Sequence, residues 1–215
     1  MDISILGAGS WASSLAGVLI DNQHNVLLWH YKKNTKDNLN ITYKLEEVQK
    51  RKVIFIALPS HAISNVLEKI KPKSKALIVI CSKGFDPEKK CRLSLLVEKK
   101  LSFNKHNIII LSGPSHAEEV SRKVPTAVVA ASSSLKNAEH IQKIISNNYF
   151  RVYTSTDVIG IEIASATKNI IAIASGLCIG LDYGDNTIAA LISRGLREII
   201  RLGKKFKAKE DTFYG

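Results

Sequence analysis

Short apolar runs with almost no polar residue inside them recur along this 215-residue chain, and they restrict what it can fold into. Val53-Ile54-Phe55-Ile56-Ala57-Leu58 is one, Ala76 to Cys81 a second and Asn107 to Leu111 a third. A strand with one wet face alternates apolar and polar residues; a continuous run belongs to a strand buried on both faces. Helical segments separate the runs, at His61 to Ile70 and Leu93 to Leu101. Buried strands alternating with helices predict an α/β fold with a doubly wound, mainly parallel sheet. Asn25 to Trp29, Thr126 to Ala131 and Tyr149 to Tyr153 read as further strands, and Asn137 to Ser146 as a further helix. The polar loop Asn34 to Asn40 and a short charged helix at Lys44 to Lys52 fill the space before Val53.

The first unit of this pattern carries a glycine turn. Ile3, Ile5 and Leu6 form a strand, Gly7-Ala8-Gly9-Ser10-Trp11-Ala12 follows at once, and Trp11 to Ile20 reads as a helix. A strand before and a helix after are the context in which G-x-G-x-x-G/A means dinucleotide binding. Gly7 permits the tight turn, Gly9 lets backbone approach a pyrophosphate, and Ala12 allows close helix–strand packing. The helix N-terminus adds free N–H groups and a positive dipole end.

Composition narrows the setting. Hydrophobic residues at 45% and charged residues at 23% are those of a soluble globular chain. Asp2 and the first strand follow Met1 directly, with no signal-peptide pattern. The longest nearly apolar stretch, Ile170 to Leu181, is too short for a membrane span. Cys81, Cys91 and Cys178 are odd in number and lack metal-ligand spacing, so no metal is expected and the thiols read as reduced. These features point to the cytoplasm. The net charge of +12 raises the question of nucleic acid. The lysines, however, are scattered over connections and outer helix faces, without interleaved aromatics or a recognition motif. A solvated surface is the preferred reading, with no nucleic-acid partner.

In an open α/β sheet, ligands bind beyond the carboxyl ends of the strands. Trp29 is followed by His30-Tyr31-Lys32-Lys33, where a reader of NAD places a carboxylate for the ribose hydroxyl. Tyr31, Lys32 and Lys33 offer donors and positive charge instead, which favours a 2′-phosphate and hence NADPH, with NADH the alternative. Lys83 stands in the turn Ser82-Lys83-Gly84 after another strand. Ser112-Gly113-Pro114-Ser115-His116-Ala117-Glu118-Glu119 opens a helix whose N–H groups and Ser115 hydroxyl can face an anion. Glu118 and Glu119 read as dipole partners in a first turn, and His116 as a solvated side chain.

After Ser155 the period changes to long helices, Val158 to Gly176 and Asn186 to Gly203. A domain boundary is therefore expected there, with 1–154 binding dinucleotide and 155–215 beginning an all-α domain too small to hold its own core. Lys168 sits in a very apolar helix, so its ammonium either reaches out to water or is held in a cleft fit for proton transfer. Glu162 and Asn169 share a face with a seven-residue spacing. Arg194, Arg197, Arg201 and Lys204 make a basic stripe that reads as a solvated face.

Taken together, these residues resemble the bacterial NAD(P)-dependent glycerol-3-phosphate dehydrogenases. The resemblance runs through Gly-Ala-Gly-Ser-Trp, Ser-Lys-Gly, Gly-Pro-Ser-His-Ala-Glu-Glu-Val, Phe150-Arg151-Val152-Tyr153, Lys168-Asn169-Ile170-Ile171-Ala172-Ile173-Ala174 and Leu191-Ile192-Ser193-Arg194-Gly195-Leu196. It implies a Rossmann-type domain and interconversion of dihydroxyacetone phosphate and sn-glycerol 3-phosphate, feeding glycerophospholipid synthesis. It also implies that Ser10 and Trp11 contact the pyrophosphate region, and that Tyr31 and Lys32 lie at the adenosine end. Ala117 would touch the cofactor, Lys83 both cofactor and substrate, Gly113 and Ser115 the substrate, and Lys168 would be the general acid/base. A homodimer is left open. Two departures stand out. The stretch between the second strand and Val53 is short, and family members continue beyond Gly215 with an acid beside the lysine and an Arg-Asn pair for the phosphate. The chain is thus expected to read as C-terminally truncated, with an inactive dinucleotide-binding remnant as the alternative.

Overall fold

A computed structural model describes residues 1–32 and 39–214. The chain divides into two compact units, Met1–Thr156 and Asp157–Gly215. In the first, β1 (Asp2–Leu6) leads through the glycine turn into α1 (Ser10–Asp21), then β2 (Asn25–Trp29) and a two-residue β3 (Ile41–Thr42). Next come α2 (Leu45–Val48), β4 (Val53–Ile56), α3 (Ser60–Leu67) and β5 (Leu77–Ile80). A small hairpin, β6 (Phe85–Asp86) and β7 (Cys91–Arg92), precedes α4 (Leu93–Leu101). The unit ends with β8 (Ile108–Ser112), α5 (Ala117–Ser121), β9 (Thr126–Ala131), α6 (Leu135–Ile145) and β10 (Phe150–Ser155).

Eight strands form one sheet in the order β10-β9-β8-β5-β4-β1-β2-β3. All pairs are parallel except β8 with β9. From β1 the chain winds outward to β2 and β3, returns to β4 on the other side of β1, and winds the opposite way to β5 and β8. The reversal between β1 and β4 is a topological switch point, where the loops part and leave a crevice. The continuous apolar runs become the central strands: Ile5, Phe55, Ile78, Val79 and Ile109 are completely buried.

Several sequence expectations shift. The expected helix at Lys44 to Lys52 is a single turn, Leu45–Val48. The edge strand β3, the β6–β7 hairpin and the antiparallel direction of β9 were not anticipated. The expected loop Asn34 to Asn40 lies mostly outside the described residues, as does Lys33. No disulfide forms among the described residues; Cys81 is buried and burial pushes its thiol pKa up, while Cys91 and Cys178 are half-buried.

The second unit is a pair of long helices, α7 (Val158–Gly180) and α8 (Asp185–Lys205), followed by a 3-10 turn at Glu210–Phe213. Asp157 organises its start. Its carboxylate caps α7 by accepting the Gly160 N–H at 3.0 Å. It also accepts the Lys209 N–H at 2.8 Å and the Thr212 hydroxyl at 2.7 Å. One buried acid therefore ties the first turn of α7 to the segment after α8. Gly195 lets the helices close in, since a β-carbon there would lie 2.2 Å from Ile171 Cδ1, and Gly203 makes room for the 3-10 turn, since one there would lie 2.2 Å from Phe213 Cζ. As a 23-residue helix with a window of mean hydropathy 1.4, α7 exceeds the apolar stretch measured in sequence. By length and composition alone it is long enough to cross a membrane.

Candidate active site

The crevice is built from backbone first. The Gly7 N–H donates to Trp29 O at 3.0 Å, and the Ala57 N–H donates to Leu6 O at 2.9 Å. Gly7 has φ +123°, and a β-carbon there would lie 2.5 Å from Ala57 O. Only glycine can make this turn, both for its dihedral and for the strand end against which it rests. Gly9 differs. It caps α1 with no side chain, and a β-carbon on it would meet nothing within 4 Å. Open space therefore lies in front of a helix N-terminus, whose first N–H groups have no intrahelical acceptor.

Side chains of α1 finish that end. Ser10 is exposed, Ala12 is fully buried, and Trp11 is half-buried. Trp11 Nε1 is the one buried side-chain polar atom among the described residues with no hydrogen-bond partner. A buried indole N–H without an acceptor is costly, and an acceptor on a bound ligand would relieve it. Ser14 Oγ lies 2.9 Å from Ser10 O and 2.8 Å from Ala117 O, so its proton holds the start of α5 against α1. That bond carries Ala117 to the side of the glycine turn.

At the end of β2 no carboxylate occupies the described positions. His30 Nδ1 lies 3.2 Å from the Lys32 N–H and 2.9 Å from its C=O, closing a tight turn. Tyr31 is 70% exposed, with Lys32 Nζ 5.4 Å from its ring centroid. Beyond β5, Lys83 is half-buried in a turn completed by Gly84 at φ +103°. Beyond β8, a β-carbon on Gly113 would lie 2.8 Å from Val128 Cα, so packing against β9 alone demands glycine there. The Ser115 hydroxyl donates to Gly113 O at 3.3 Å. His116 and Glu118 pair at 2.7 Å on the surface, and Glu118 is held below the usual carboxylate range by its own backbone N–H and then by His116. The Gly7, Lys83 and Gly113 turns thus stand along one edge of the sheet, because β1, β4, β5 and β8 run parallel.

Lys168 belongs to the second unit and is half-buried in the middle of α7. Its neighbour Thr167 is buried and donates to Ile163 O at 2.7 Å. Glu162 and Asn169, expected to share a polar face, differ: Glu162 is buried and Asn169 exposed. On α8 the basic stripe is solvated as expected, with Arg201 pairing Glu198 at 3.5 Å and Lys204 pairing Glu210. Sequence reading passed over Ser14, Ser82 and Asp157; the available signal was a small polar residue at the end of an apolar run or just ahead of a helix.

The family model described as NAD-dependent glycerol-3-phosphate dehydrogenase N-terminus matches residues 2–44 and 34–138. The model for the C-terminus of the same enzymes matches residues 157–215. The chain belongs to the NAD-dependent glycerol-3-phosphate dehydrogenase family. Glycerol-3-phosphate dehydrogenase (NAD(P)+) of Clostridium acetobutylicum is 40% identical over 235 positions, covering 99% of this chain and 70% of the relative. The Bacillus subtilis enzyme of that name is 42% identical over 236 positions, with 99% and 68% covered. The crystal structure of glycerol-3-phosphate dehydrogenase from Coxiella burnetii superposes with a TM-score of 0.91 at 33% identity, over 100% of this chain and 72% of that one. An alignment of 235 positions against a chain of 215 residues leaves the relatives with segments inside the match that this chain lacks. The overlapping matches of the N-terminal model at residues 34–44 put such a segment between β2 and β4, where the sequence reading found the stretch short.

Proposed function

We propose that this chain acts in the interconversion of dihydroxyacetone phosphate and sn-glycerol 3-phosphate with a nicotinamide dinucleotide, supplying glycerophospholipid synthesis in the cytoplasm. The observation that carries the reading is the open Gly9 in front of the α1 N-terminus, beside an indole N–H lacking an acceptor, in a chain of this family. Residues 1–154 would hold the dinucleotide and 155–215 would carry the acid/base lysine.

The parts divide as follows. Gly7 and Gly9 clear the approach, and the N–H groups of Ser10 and Trp11 hold the pyrophosphate. Ala117, held by Ser14, walls the same site. Tyr31 and Lys32 meet the adenosine end, and the positive charge of Lys32 in place of a carboxylate supports NADPH over NADH. Lys83 supplies a cation to cofactor and substrate, and Gly113 with Ser115 meets the substrate. The dinucleotide, when bound, supplies the hydride. The Lys168 ammonium donates a hydrogen bond to the C2 carbonyl oxygen, which favours negative charge developing there, and then gives that oxygen its proton.

A fluorescence titration tests the first half, with NADPH binding at least about tenfold more tightly than NADH if one charged contact decides between them. Oxidation of NADPH by dihydroxyacetone phosphate tests the second, and Lys168→Ala should abolish it. Unchanged turnover in that variant overturns the role of Lys168. A second reading, a dinucleotide-binding chain without turnover, would be established by NADPH binding with no oxidation. Light scattering decides whether it binds as a monomer or a homodimer.

A further inference from the structure

The end of β4 and the end of β5 are joined in an unusual way. Their parallel ladder runs from Val53↔Leu77 to Ile56↔Ile80, and the Cys81 N–H still donates to Ile56 O at 2.8 Å. One further ladder step would carry the Leu58 N–H to the Cys81 carbonyl, and the step after it the Lys83 N–H to the Leu58 carbonyl. Neither of those bonds joins the strands. The Leu58 N–H donates to Ser82 Oγ at 3.1 Å, and the Ser82 hydroxyl donates to Leu58 O at 2.6 Å. A single hydroxyl has taken over both backbone partners of Leu58.

Two consequences follow from the geometry. The Lys83 N–H is released from the ladder, so the chain can turn away from the strand direction through Gly84 while β4 and β5 stay tied together. At the same time Leu58 is fixed, and with it the Ala57 carbonyl against which Gly7 rests. Ser82 therefore links the lysine turn after β5 to the floor of the glycine turn after β1. Ser82 Oγ also lies 3.3 Å from Ile56 O, the last carbonyl of β4, although backbone alone could have satisfied both Leu58 groups.

We propose that Ser82 is a positioning residue for the nicotinamide dinucleotide site, holding the Lys83 turn and the Gly7 floor in register. This rests on the dinucleotide reading above. Ser82 makes no contact with the ligand in this account; it acts through Lys83 and Leu58.

The test is NADPH titration of the whole 215-residue chain, with the thermal midpoint recorded for every variant. Ser82→Ala should weaken NADPH binding about five- to tenfold, the effect of losing one well-made hydrogen bond, and Ser82→Thr should restore it to within about twofold. Ser82→Ala combined with Lys83→Ala should weaken binding by less than the product of the two single effects, because the part of the hydroxyl's role that runs through the lysine turn is already lost in Lys83→Ala. A purely structural serine would lower the midpoint and leave the dissociation constant where it was, and that result overturns the proposal. So does full additivity in the double variant. If Ser82→Ala does not fold, Ser82→Cys keeps the volume with a much weaker hydrogen bond: weaker NADPH binding supports the proposal and parental affinity overturns it. A parent chain that fails to bind NADPH overturns the dinucleotide reading as well, whereas a parent that binds and an equally tight Ser82→Ala overturn the role of Ser82 alone.

Discussion

The two units spend similar apolar residues very differently. In Met1–Thr156 they form strands covered on both faces, and Ile3, Ile5, Phe55, Ile109 and Phe150 have no exposed surface. In Asp157–Gly215 the buried apolar residues among those described are Ile161, Ile163, Ile200 and Ala208, while Ile170, Ile173, Leu177 and Ile179 are each more than 60% exposed. A sheet has two faces, and helices on both make it a closed core. Two helices meet along one seam. Gly195 tightens that seam against Ile171, but Ile170, Ile173, Leu177 and Ile179 of α7 stay outside it. Apolar content alone does not produce a core; the number of layers decides it.

Substitutions should make the contrast measurable. Phe55→Ala in the sheet should cost about 3–5 kcal/mol in urea unfolding, whereas Ile173→Ala should fall within about 0.5 kcal/mol of the parent. Equal losses at the two positions would erase the distinction. Gly7→Ala comes next: backbone strain alone costs about 1–3 kcal/mol, and the clash with Ala57 O should also abolish NADPH binding. Retained binding would show that the turn tolerates a side chain. Asp157→Ala should cost about 1–2 kcal/mol through the lost cap and the two further hydrogen bonds that its carboxylate accepts, with amide exchange rising in residues 157–215 and not in the sheet. Ile170→Lys with Ile173→Lys should leave stability nearly unchanged but reduce binding of a hydrophobic dye, since large exposed apolar patches attract such probes.

The smallest effect concerns pH. The carboxyl of Asp21 is lowered by the Lys123 ammonium at 2.7 Å and then by the Tyr149 hydroxyl at 2.7 Å. A lowered folded-state pKa stabilises the fold above the ordinary aspartate value and ceases to do so as pH falls through the lowered value. The difference in unfolding midpoint between the parent and Asp21→Asn should therefore be constant from pH 7 to about pH 5, and shrink below about pH 4. A difference that grows toward acid would reverse the assignment.

How much of this was legible beforehand follows from what periodicity encodes. The runs at Val53 and Ala76 announced buried strands because polar residues are absent from both faces. The glycine turn was legible because strand, turn and helix are contiguous. Direction was not: Thr126 to Ala131 has the same character whether parallel or antiparallel, and it is the folded chain that shows only a five-residue α5, too short for a full crossover helix, before it. The two-residue strands β3, β6 and β7 are too short to carry a period. Among the candidate site residues, Gly7 and Lys83 were singled out by their place after strands. Ser82 and Ser14 were missed because a serine's task depends on which carbonyl stands opposite, and that is a property of the folded chain.

The cysteines give the molecule a clock for each half. Cys81 lies sealed under the sheet with its thiol pushed toward the protonated form, so an alkylating reagent reaches it only when the strands open. Cys178, half-buried on α7, meets the reagent on the timescale of helix fluctuations. Locating the modified thiols by peptide mass against time, so that Cys178 is told apart from the equally half-buried Cys91, would separate the lifetime of the sheet from that of the helix pair in one chain of unaltered sequence.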